Sequence, residues 1–306
     1  MAARGGKTTW PPPRPQRERR YRRRKHPGIP MDARLQRRVQ RYGWDKASAS
    51  YEQFWGRQLE PAHAKLLAMA EVAPGHRVLD VACGTGLVSF PAARAVAPNG
   101  RLIGVDLSQE MVNRVSTEAR RLGIANATFA RMDAEALELA DDSVDVALCS
   151  LGLMYVPDPL QALTEMHRVL APGGRAVVSV WAERSRCGWA ELFPIVDRRV
   201  ASDVCPMFFQ LGTHDALGRA MTTAGFVDVR AERIDTTLEY ASAEEACGAA
   251  FEGGAVALAY SRFDETMRKE ARREYAESIA AYRHGTRYEV PAAVVIARGI
   301  RQASAA

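Results

Sequence analysis

Two carboxylates and two glycines between residues 80 and 106 have the types and spacing of a ligand-binding loop. Asp80 ends an apolar segment, and Gly84 and Gly86 follow it in a short turn. Glycine permits a tight turn and lets a ligand approach the backbone closely. The helix predicted to begin near Leu87 directs its free N–H groups at the same place. Asp106 ends the next apolar segment, 20 residues after Gly86, where a carboxylate accepts two ribose hydroxyls. The segment predicts a nucleotide-type site.

The charge of this loop indicates which ligand it suits. A dinucleotide loop would continue Gly-x-Gly-x-x-Gly, but Ser89 stands at the third position. Asp80 would also repel a pyrophosphate, since two unit charges about 4 Å apart interact by roughly 4 kcal/mol at an effective dielectric of 20. The same carboxylate favours a ligand with an ammonium and a sulfonium, and S-adenosylmethionine carries both together with a ribose. A turn without a ligand and a nicotinamide-dependent oxidoreductase remain alternatives.

Five motifs along the chain carry a family resemblance. They are residues 80–86 (DVACGTG), 105–108 (VDLS), 131–137 (RMDAEAL), 142–148 (DSVDVAL) and 168–175 (RVLAPGGR). In this order they resemble the class I S-adenosylmethionine-dependent methyltransferases, most closely the ubiquinone/menaquinone-biosynthesis (type 11) branch. The likeness covers roughly residues 45–235, and it implies methyl transfer to a small molecule.

The resemblance implies the following cofactor-binding residues: Asp80, Ala82, Cys83, Gly84, Thr85, Gly86, Asp106, Leu107, Met111, Met132, Asp133, Ala134, Ser150 and Leu151. The glycine loop would hold the methionine end, with Asp80 balancing positive charge, and Asp106 would accept the ribose hydroxyls. Asp133 would accept from the adenine amine, with Leu107 and Met111 beside the ring. A turn role for Asp133 and core packing for the two methionines are the alternatives.

The residues after the fourth strand bear on the methyl acceptor. Residues 149–153 contain neither an Asn/Asp-Pro-Pro-aromatic motif, which would hold a flipped base amine, nor an acidic residue to begin a magnesium site. We therefore expect a metal-independent reaction on a small apolar or aromatic acceptor, such as a quinol or phenol, rather than on nucleic acid. Positioning and water exclusion would drive it.

The candidate acceptor-binding residues are Tyr51, Trp55, Tyr155 and Trp181, although the first two are equally suited to core packing. No general base is predicted. His63, His167 and His214 are the candidates considered, and the sequence favours none of them for that role.

Helix and strand patterns alternate along the chain, as in a doubly wound sheet. We expect a Rossmann-like α/β fold with helices on both faces, a mostly parallel sheet and an antiparallel last strand near residues 290–297. One methyltransferase domain would occupy residues 31–306, with its core at about 75–235 and 288–300. The segments 182–212 and 236–287 exceed ordinary connections and predict helical cap or lid insertions. One continuous helix is expected between residues 51 and 70.

The positive charge of the chain is concentrated in its first 30 residues. The chain of 306 residues has a formal charge of +6, but residues 1–30 alone carry +9, which leaves −3 for the remainder. This proline-rich basic tail is expected to be disordered. It is interpreted as a non-functional extension before a translation start at Met31. The alternatives are an arm that binds nucleic acid or an anionic membrane, or a targeting segment. A catalytically silent binding protein that works through this tail is a further alternative.

Five scattered cysteines without a Cys-x-x-Cys pair are typical of a reducing cytoplasm. The sequence has no apolar run long enough for a transmembrane helix.

Overall fold

The computed structural model describes residues 33–200 and 208–303. The basic tail and the proposed start at Met31 lie outside these ranges. Within them the chain forms one sheet of eight strands: β1 Arg77–Val81, β2 Arg101–Asp106, β3 Ala127–Arg131, β4 Val144–Ser150, β5 Leu170–Trp181, β6 Val227–Tyr240, β7 Arg283–His284 and β8 Arg287–Ile300. The strand order is β3-β2-β1-β4-β5-β8-β6, with β7 paired to β8.

The sheet is mostly parallel, as predicted. Strands β1 to β5 pair in parallel, whereas β8 lies between β5 and β6 and is antiparallel to both. The chain order reverses at β1, which lies between β2 and β4. Side chains and loops at the carboxyl ends of these strands therefore surround a crevice, where ligands of such sheets usually bind.

Strands β6 and β8 are longer than the apolar patterns at 227–234 and 290–297 indicate. Their pairing continues from Val227 opposite Ile300 to Tyr240 opposite Tyr288, whereas β5 pairs with β8 only as far as Val294. The end of the β6–β8 ladder near Tyr240 thus extends past β5. It supports the helices that follow β6 in the chain.

Eleven α-helices lie around the sheet in the described ranges. They are α1 Ala33–Ala47, α2 Tyr51–Trp55, α3 Glu60–Ala70, α4 Ser89–Ala95, α5 Gln109–Arg121, α6 Pro159–Val169, α7 Leu192–Asp197, α8 Ala216–Thr223, α9 Ala243–Phe251, α10 Ala257–Tyr260 and α11 Glu265–Ser278. Local signals fix two of these starts: Ser108 caps α5 by accepting from the Met111 N–H, and Asp158 caps α6 ahead of Pro159. None of these helices is both long and apolar enough to cross a bilayer.

The expectation of one helix over residues 51–70 is wrong. The chain forms α2 and α3 with a break at residues 56–59, and Pro61 lies in the first turn of α3. Proline has no backbone N–H and its ring clashes with the preceding turn, so it is tolerated at a helix start and not in its interior. The apolar face predicted for one helix is therefore shared between two.

Helix α1 was not predicted, and it lies against α5 and α10. Its buried residues are Gln36, Gln40, Gly43 and Ala47. Their spacing is helical, but none is a large apolar residue. A pattern based on hydrophobicity does not detect such a face.

The two long segments between core elements both contain helices. Helix α7 belongs to residues 182–212, and α9, α10 and α11 belong to 236–287. Helix α11 packs on α7 and α9, and Glu274 of α11 forms ion pairs with Arg198 and Arg199. The two segments thus form one layer beside the end of the β6–β8 ladder.

Candidate functional site

The turn between β1 and α4 has the backbone geometry that its glycines allow. Ala82, Gly84 and Gly86 all have positive φ, at 56°, 54° and 97°, in the left-handed region that glycine adopts readily. A Cβ at Gly86 would lie 2.6 Å from the Phe90 ring, whereas a Cβ at Gly84 would meet nothing within 4 Å. Gly86 is thus required for packing, and Gly84 leaves open space for a ligand.

Asp106 is fixed beside this turn by backbone donors. The Gly84 N–H donates to its Oδ2 at 3.0 Å, and the Ser108 N–H donates to its Oδ1 at 2.8 Å. Burial raises the pKa of Asp106 to about 6, against the lowering effect of these two hydrogen bonds. A carboxylate oxygen has a second lone pair, so this group can still accept from a ligand in the adjoining space.

Asp80 lies beneath the turn rather than beside the open space. It is 1% exposed, and the Ser89 hydroxyl donates to its Oδ2 at 2.5 Å. Burial raises the pKa of Asp80 to about 7, and the nearby Asp106 raises it further, while the Ser89 hydrogen bond lowers it. Ser89 therefore has a role of its own, as the partner of this buried carboxyl.

A first cavity of about 760 Å³ opens above the turn. Eight of the predicted cofactor residues line it: Ala82, Gly84, Asp106, Leu107, Met111, Met132, Asp133 and Ala134. Six others do not: Asp80, Cys83, Thr85, Gly86, Ser150 and Leu151. Two of the predicted acceptor-binding residues, Tyr51 and Tyr155, also line it. Lining residues that were not predicted are Arg37, Gln40, Trp44, Val81, Val105, Gly152, Val156 and Pro157. Three of these belong to α1, the helix for which the sequence has no apolar signal.

Helix α1 is held over the first cavity by charged and polar contacts at both of its ends. Near its start, Arg37 pairs with Asp133 at 2.8 Å and also with Glu135. Near its end, Asp45 accepts from the Ser108 hydroxyl at 2.6 Å. Desolvation raises the pKa of Asp133 and Arg37 opposes that rise. Both contacts involve loops that contribute predicted cofactor residues.

A second cavity of about 550 Å³ adjoins the first. Its lining is Trp44, Tyr51, Trp55, Leu59, Leu151, Tyr155, Trp181, Trp189, Leu192, Phe193, Phe208, Tyr240, Ala250, Gly254, Ala255 and Tyr275. Trp44, Tyr51 and Tyr155 line both cavities. The Trp44 ring packs edge-on against the other two, with centroid distances of 5.8 Å to Tyr51 and 5.0 Å to Tyr155. All four predicted acceptor-binding residues line the second cavity.

The described lining of the second cavity is apolar and aromatic, without a carboxylate, imidazole, amine or guanidinium group. Burial raises the pKa values of Tyr51, Tyr240 and Tyr275 well above the usual range, so these phenols stay protonated at neutral pH.

The three histidines considered as bases do not line either cavity. His63 is buried, which lowers its pKa to about 4, and His167 packs edge-on against Phe226.

The cysteines of the described ranges are free thiols, and all four are buried: Cys83, Cys149, Cys187 and Cys247. Cys83 packs with Phe90, Val115 and Ala119. Burial raises the pKa of the Cys83 thiol well above its usual range and that of Cys149 to about 12. In residues 33–200 and 208–303, no three potential ligands among His, Cys, Asp and Glu are grouped to hold a metal ion.

Comparison with known proteins shows which proteins this chain resembles. Residues 73–198 match the family model of a methyltransferase domain. The chain is 28% identical over 225 residues to the nocamycin O-methyltransferase of Saccharothrix syringae, covering 69% of this chain and 80% of that protein. It is 29% identical over 208 residues to the demethylmenaquinone methyltransferase of Geobacillus kaustophilus, covering 61% and 87%.

Another relative aligns over a shorter part. An uncharacterized 37.1 kDa protein in transposon TN4556 of Streptomyces fradiae is 41% identical over 113 residues, which are 37% of this chain and 32% of that protein. This chain therefore spans about a third of that relative.

Among solved structures, the fold is similar to that of a Haloferax volcanii methyltransferase in complex with its Trm112 activator. The TM-score is 0.57 at 20% identity, and the match covers 87% of this chain and 99% of that one. The predicted fold class is thus confirmed. Residues 73–198 match a methyltransferase domain, in agreement with the resemblance of the sequence motifs. This assignment favours the methyl donor over the nicotinamide alternative.

Proposed function

We propose that this S-adenosylmethionine-dependent methyltransferase methylates a small apolar or aromatic molecule, without a metal ion. The observation that carries the proposal is the pair of adjoining cavities with a common aromatic wall of Trp44, Tyr51 and Tyr155. The first contains carboxylates and open backbone, whereas the second is apolar. A polar cofactor and an apolar acceptor have opposite requirements of their surroundings, and the two cavities meet both.

The first cavity fits the cofactor through residues of three loops. The open face of Gly84 would receive the methionine end, and the Asp106 carboxylate would accept the ribose hydroxyls. Asp133 would accept from the adenine amine, with Leu107 and Met111 against the ring. Bound in this way, the cofactor supplies an electrophilic methyl group on a sulfonium.

The contribution of the protein to the reaction would be alignment and exclusion of water. Methyl transfer needs the acceptor atom, the methyl carbon and the sulfur in line, and correct positioning can supply about 7–11 kcal/mol of the barrier. The aromatic lining of the second cavity holds an acceptor by shape and keeps water out. Since its described lining contains no side chain that takes a proton at neutral pH, the acceptor hydroxyl would give its proton to a water molecule as the methyl group is transferred.

The relatives support a small-molecule acceptor in general terms. One is named for O-methylation of nocamycin and another for methylation of demethylmenaquinone. Both names describe those proteins. The acceptor of this chain is proposed from the second cavity alone.

The first experiment is a calorimetric titration of the full chain with S-adenosylmethionine, using Asp106→Asn as the test variant. The substitution removes a charged acceptor of two hydroxyls, so we expect affinity to fall about 10- to 100-fold. Glu138→Gln is the matched control, because this exposed carboxylate does not line the cavity, and its affinity should equal that of the wild type.

Two results would count against the proposal. One is a folded wild-type protein that does not bind the cofactor, and the other is equal affinity in Asp106→Asn and the wild type. For the metal-independent step, we expect transfer of labelled methyl groups to a panel of phenols and quinols to survive a chelator at full rate. Cofactor binding without transfer to any acceptor would revive the silent binding protein.

A further inference from the structure

Glu135 is a buried carboxylate that lines neither cavity. Its two oxygens have different partners: Oε1 accepts from the Asp158 N–H at 2.7 Å, and Oε2 pairs with the Arg37 guanidinium. A carboxylate is costly to bury unless its oxygens are hydrogen-bonded and its charge is paired, and both conditions are met here by other segments of the chain. Glu135 thus joins its own loop to α1 and to the start of α6.

The backbone around Glu135 is itself fixed. The Glu135 N–H donates to Asp133 Oδ1 at 3.0 Å, and the Gln161 side chain of α6 donates to the Glu135 carbonyl at 3.2 Å. Helix α6 in turn packs on β5 of the sheet. The Glu135 carboxylate therefore has a defined place relative to the sheet, from which it can hold more mobile segments.

The two segments that Glu135 contacts form the common wall of the cavities. Helix α1 contributes Trp44, and residues 152–157, which end directly before Asp158, contribute Tyr155. These two rings pack edge-on at 5.0 Å, and both line the two cavities. One side chain outside the cavities thus contacts both halves of the wall between them.

From these contacts we infer that Glu135 is a positioning residue: it anchors α1 and residues 152–157 together and so sets the wall between the two cavities. It acts through Trp44 and Tyr155, since it lines neither cavity itself. The alignment of an acceptor by this wall rests on the proposed function, whereas the anchoring rests on the contacts alone.

The test of the anchoring is hydrogen–deuterium exchange of the full chain without cofactor, followed on α1 and on residues 152–158. The N–H groups of Tyr155 and Val156 are hydrogen-bonded to carbonyls of their own turn, so their exchange reports its opening. Glu135→Ala removes both contacts, and exchange should become about tenfold faster in both segments. Arg37→Met removes only the contacts of α1, so only α1 should exchange faster.

Glu138→Gln is the matched control, because this exposed carboxylate lies in the same loop, and it should exchange like the wild type. Unchanged exchange of residues 152–158 in Glu135→Ala overturns the inference. So does an equal acceleration in α4, which packs on β1 and β2, because that pattern means that the whole fold has been destabilised.

Glu135→Gln serves if Glu135→Ala does not fold. Glutamine keeps a carbonyl oxygen for the Asp158 N–H but cannot pair with Arg37, so α1 alone should exchange faster. In the double variant with Arg37→Met, the acceleration in α1 should be smaller than the product of the two single effects, because both substitutions break one ion pair. Effects that simply multiply would contradict the anchoring of α1 by Glu135.

The rate of methyl transfer separates positioning from stability. At saturating S-adenosylmethionine, with the best acceptor of the phenol and quinol panel, Glu135→Ala should be about tenfold slower than Arg37→Met, since a displaced Tyr155 misaligns the acceptor. A role in stability alone would lower the yield of folded protein and leave the rate per folded molecule unchanged. Equal rates per folded molecule in the two variants therefore contradict the positioning role.

The exchange measurement needs neither cofactor nor acceptor, so its outcome is separate from that of the proposed function. The expected exchange pattern in a chain that does not bind S-adenosylmethionine would keep the anchoring and refute the methyltransferase. Cofactor binding together with unchanged exchange of residues 152–158 would refute the anchoring alone.

Discussion

Asp80 and Ser89 form a buried pair whose members were interpreted separately from the sequence. The sequence pattern marks Ser89 only as the absence of a third glycine, and it predicts Asp80 as a countercharge for the ligand. In the structure the serine hydroxyl donates to the carboxylate at 2.5 Å, beneath the turn. A single sequence identifies both residue types, but their contact depends on how α4 packs on β1, which no local signal encodes.

A test at this position is Asp80→Asn. Since burial raises the folded-state pKa of Asp80 to about 7, the carboxyl stabilises the fold at low pH, and that contribution is lost as the pH rises from about 4 through 7. Asparagine does not ionise. The stability of the variant relative to the wild type should therefore increase by about 3 kcal/mol between pH 4.5 and pH 8, measured by denaturant unfolding at both pH values.

The stability of Ser89→Ala relative to the wild type should instead fall as the pH rises. This substitution removes the donor that favours the ionised form of Asp80, so it should destabilise the protein most at pH 8. A stability difference between Asp80→Asn and the wild type that is constant with pH would show that Asp80 ionises normally. Affinity for S-adenosylmethionine should nonetheless fall in Asp80→Asn if this carboxyl balances the positive charge of the cofactor.

Helix α1 shows why one element of the site was missed. Its buried face consists of glutamine, glycine and alanine, and it is fastened to the domain by Arg37 and Asp45 rather than by an apolar stripe. Pattern analysis detects helices that bury large hydrophobic side chains. The starts of α5 and α6 were predictable because Ser108 and Asp158 act within their own turns.

Arg37→Met tests whether α1 retains the cofactor. The substitution removes the ion pairs with Asp133 and Glu135 but keeps a long side chain over the cavity. We expect cofactor dissociation, measured by stopped flow, to become about three- to tenfold faster, since loss of the ion pairs loosens the helix over the cavity and most mutational effects on affinity act on the dissociation rate. Arg38→Met is the control, because Arg38 is exposed on the same helix. Equal rates in the two variants would mean that α1 does not close the site.

Helix α9 approaches α2 closely at a glycine. A Cβ at Gly248 would lie 2.5 Å from the Phe54 ring, whereas one at Gly254 would meet only backbone oxygens at 3.9 Å. Gly248→Ala should therefore destabilise the protein by about 1–3 kcal/mol, as overpacking does, and Gly254→Ala should not. Thermal unfolding of both variants measures this. An unchanged Tm in Gly248→Ala would indicate that α2 shifts freely.

At the scale of the whole molecule, the two cavities differ in how well the sequence predicts them. Most of the predicted cofactor residues lie in short motifs at strand ends, within the family match at residues 73–198. The second cavity combines α1 and α2 with residues such as Phe208, Tyr240 and Tyr275, far apart in the chain and outside that match. Four of its aromatic residues were predicted because they lie in the N-terminal helical segment or near strand ends. The rest depend on the packing of the two insertions, which sequence spacing does not determine.

The division into one domain with insertions at 182–212 and 236–287 stays a prediction, as does the basic tail. The described parts of both insertions nevertheless meet at the second cavity, since Trp189 and Phe193 come from one and Tyr240 and Tyr275 from the other. If the second cavity holds the acceptor, substitutions in these two segments would change the acceptor preference without altering the glycine turn.

The burial of Cys83 has a consequence for an enzyme of this kind. A sulfonium methyl donor is an alkylating agent, and an ionised thiol is a far better nucleophile than most acceptors. Cys83 lies within the turn that would hold that donor, yet its thiol packs among Phe90 and Val115 and its pKa is raised well above the usual range. The Tyr51 phenol on the common wall of the cavities is kept protonated in the same way. If the turn holds such a donor, a buried and protonated thiol at this position would resist methylation by it, and the active sites would survive successive turnovers.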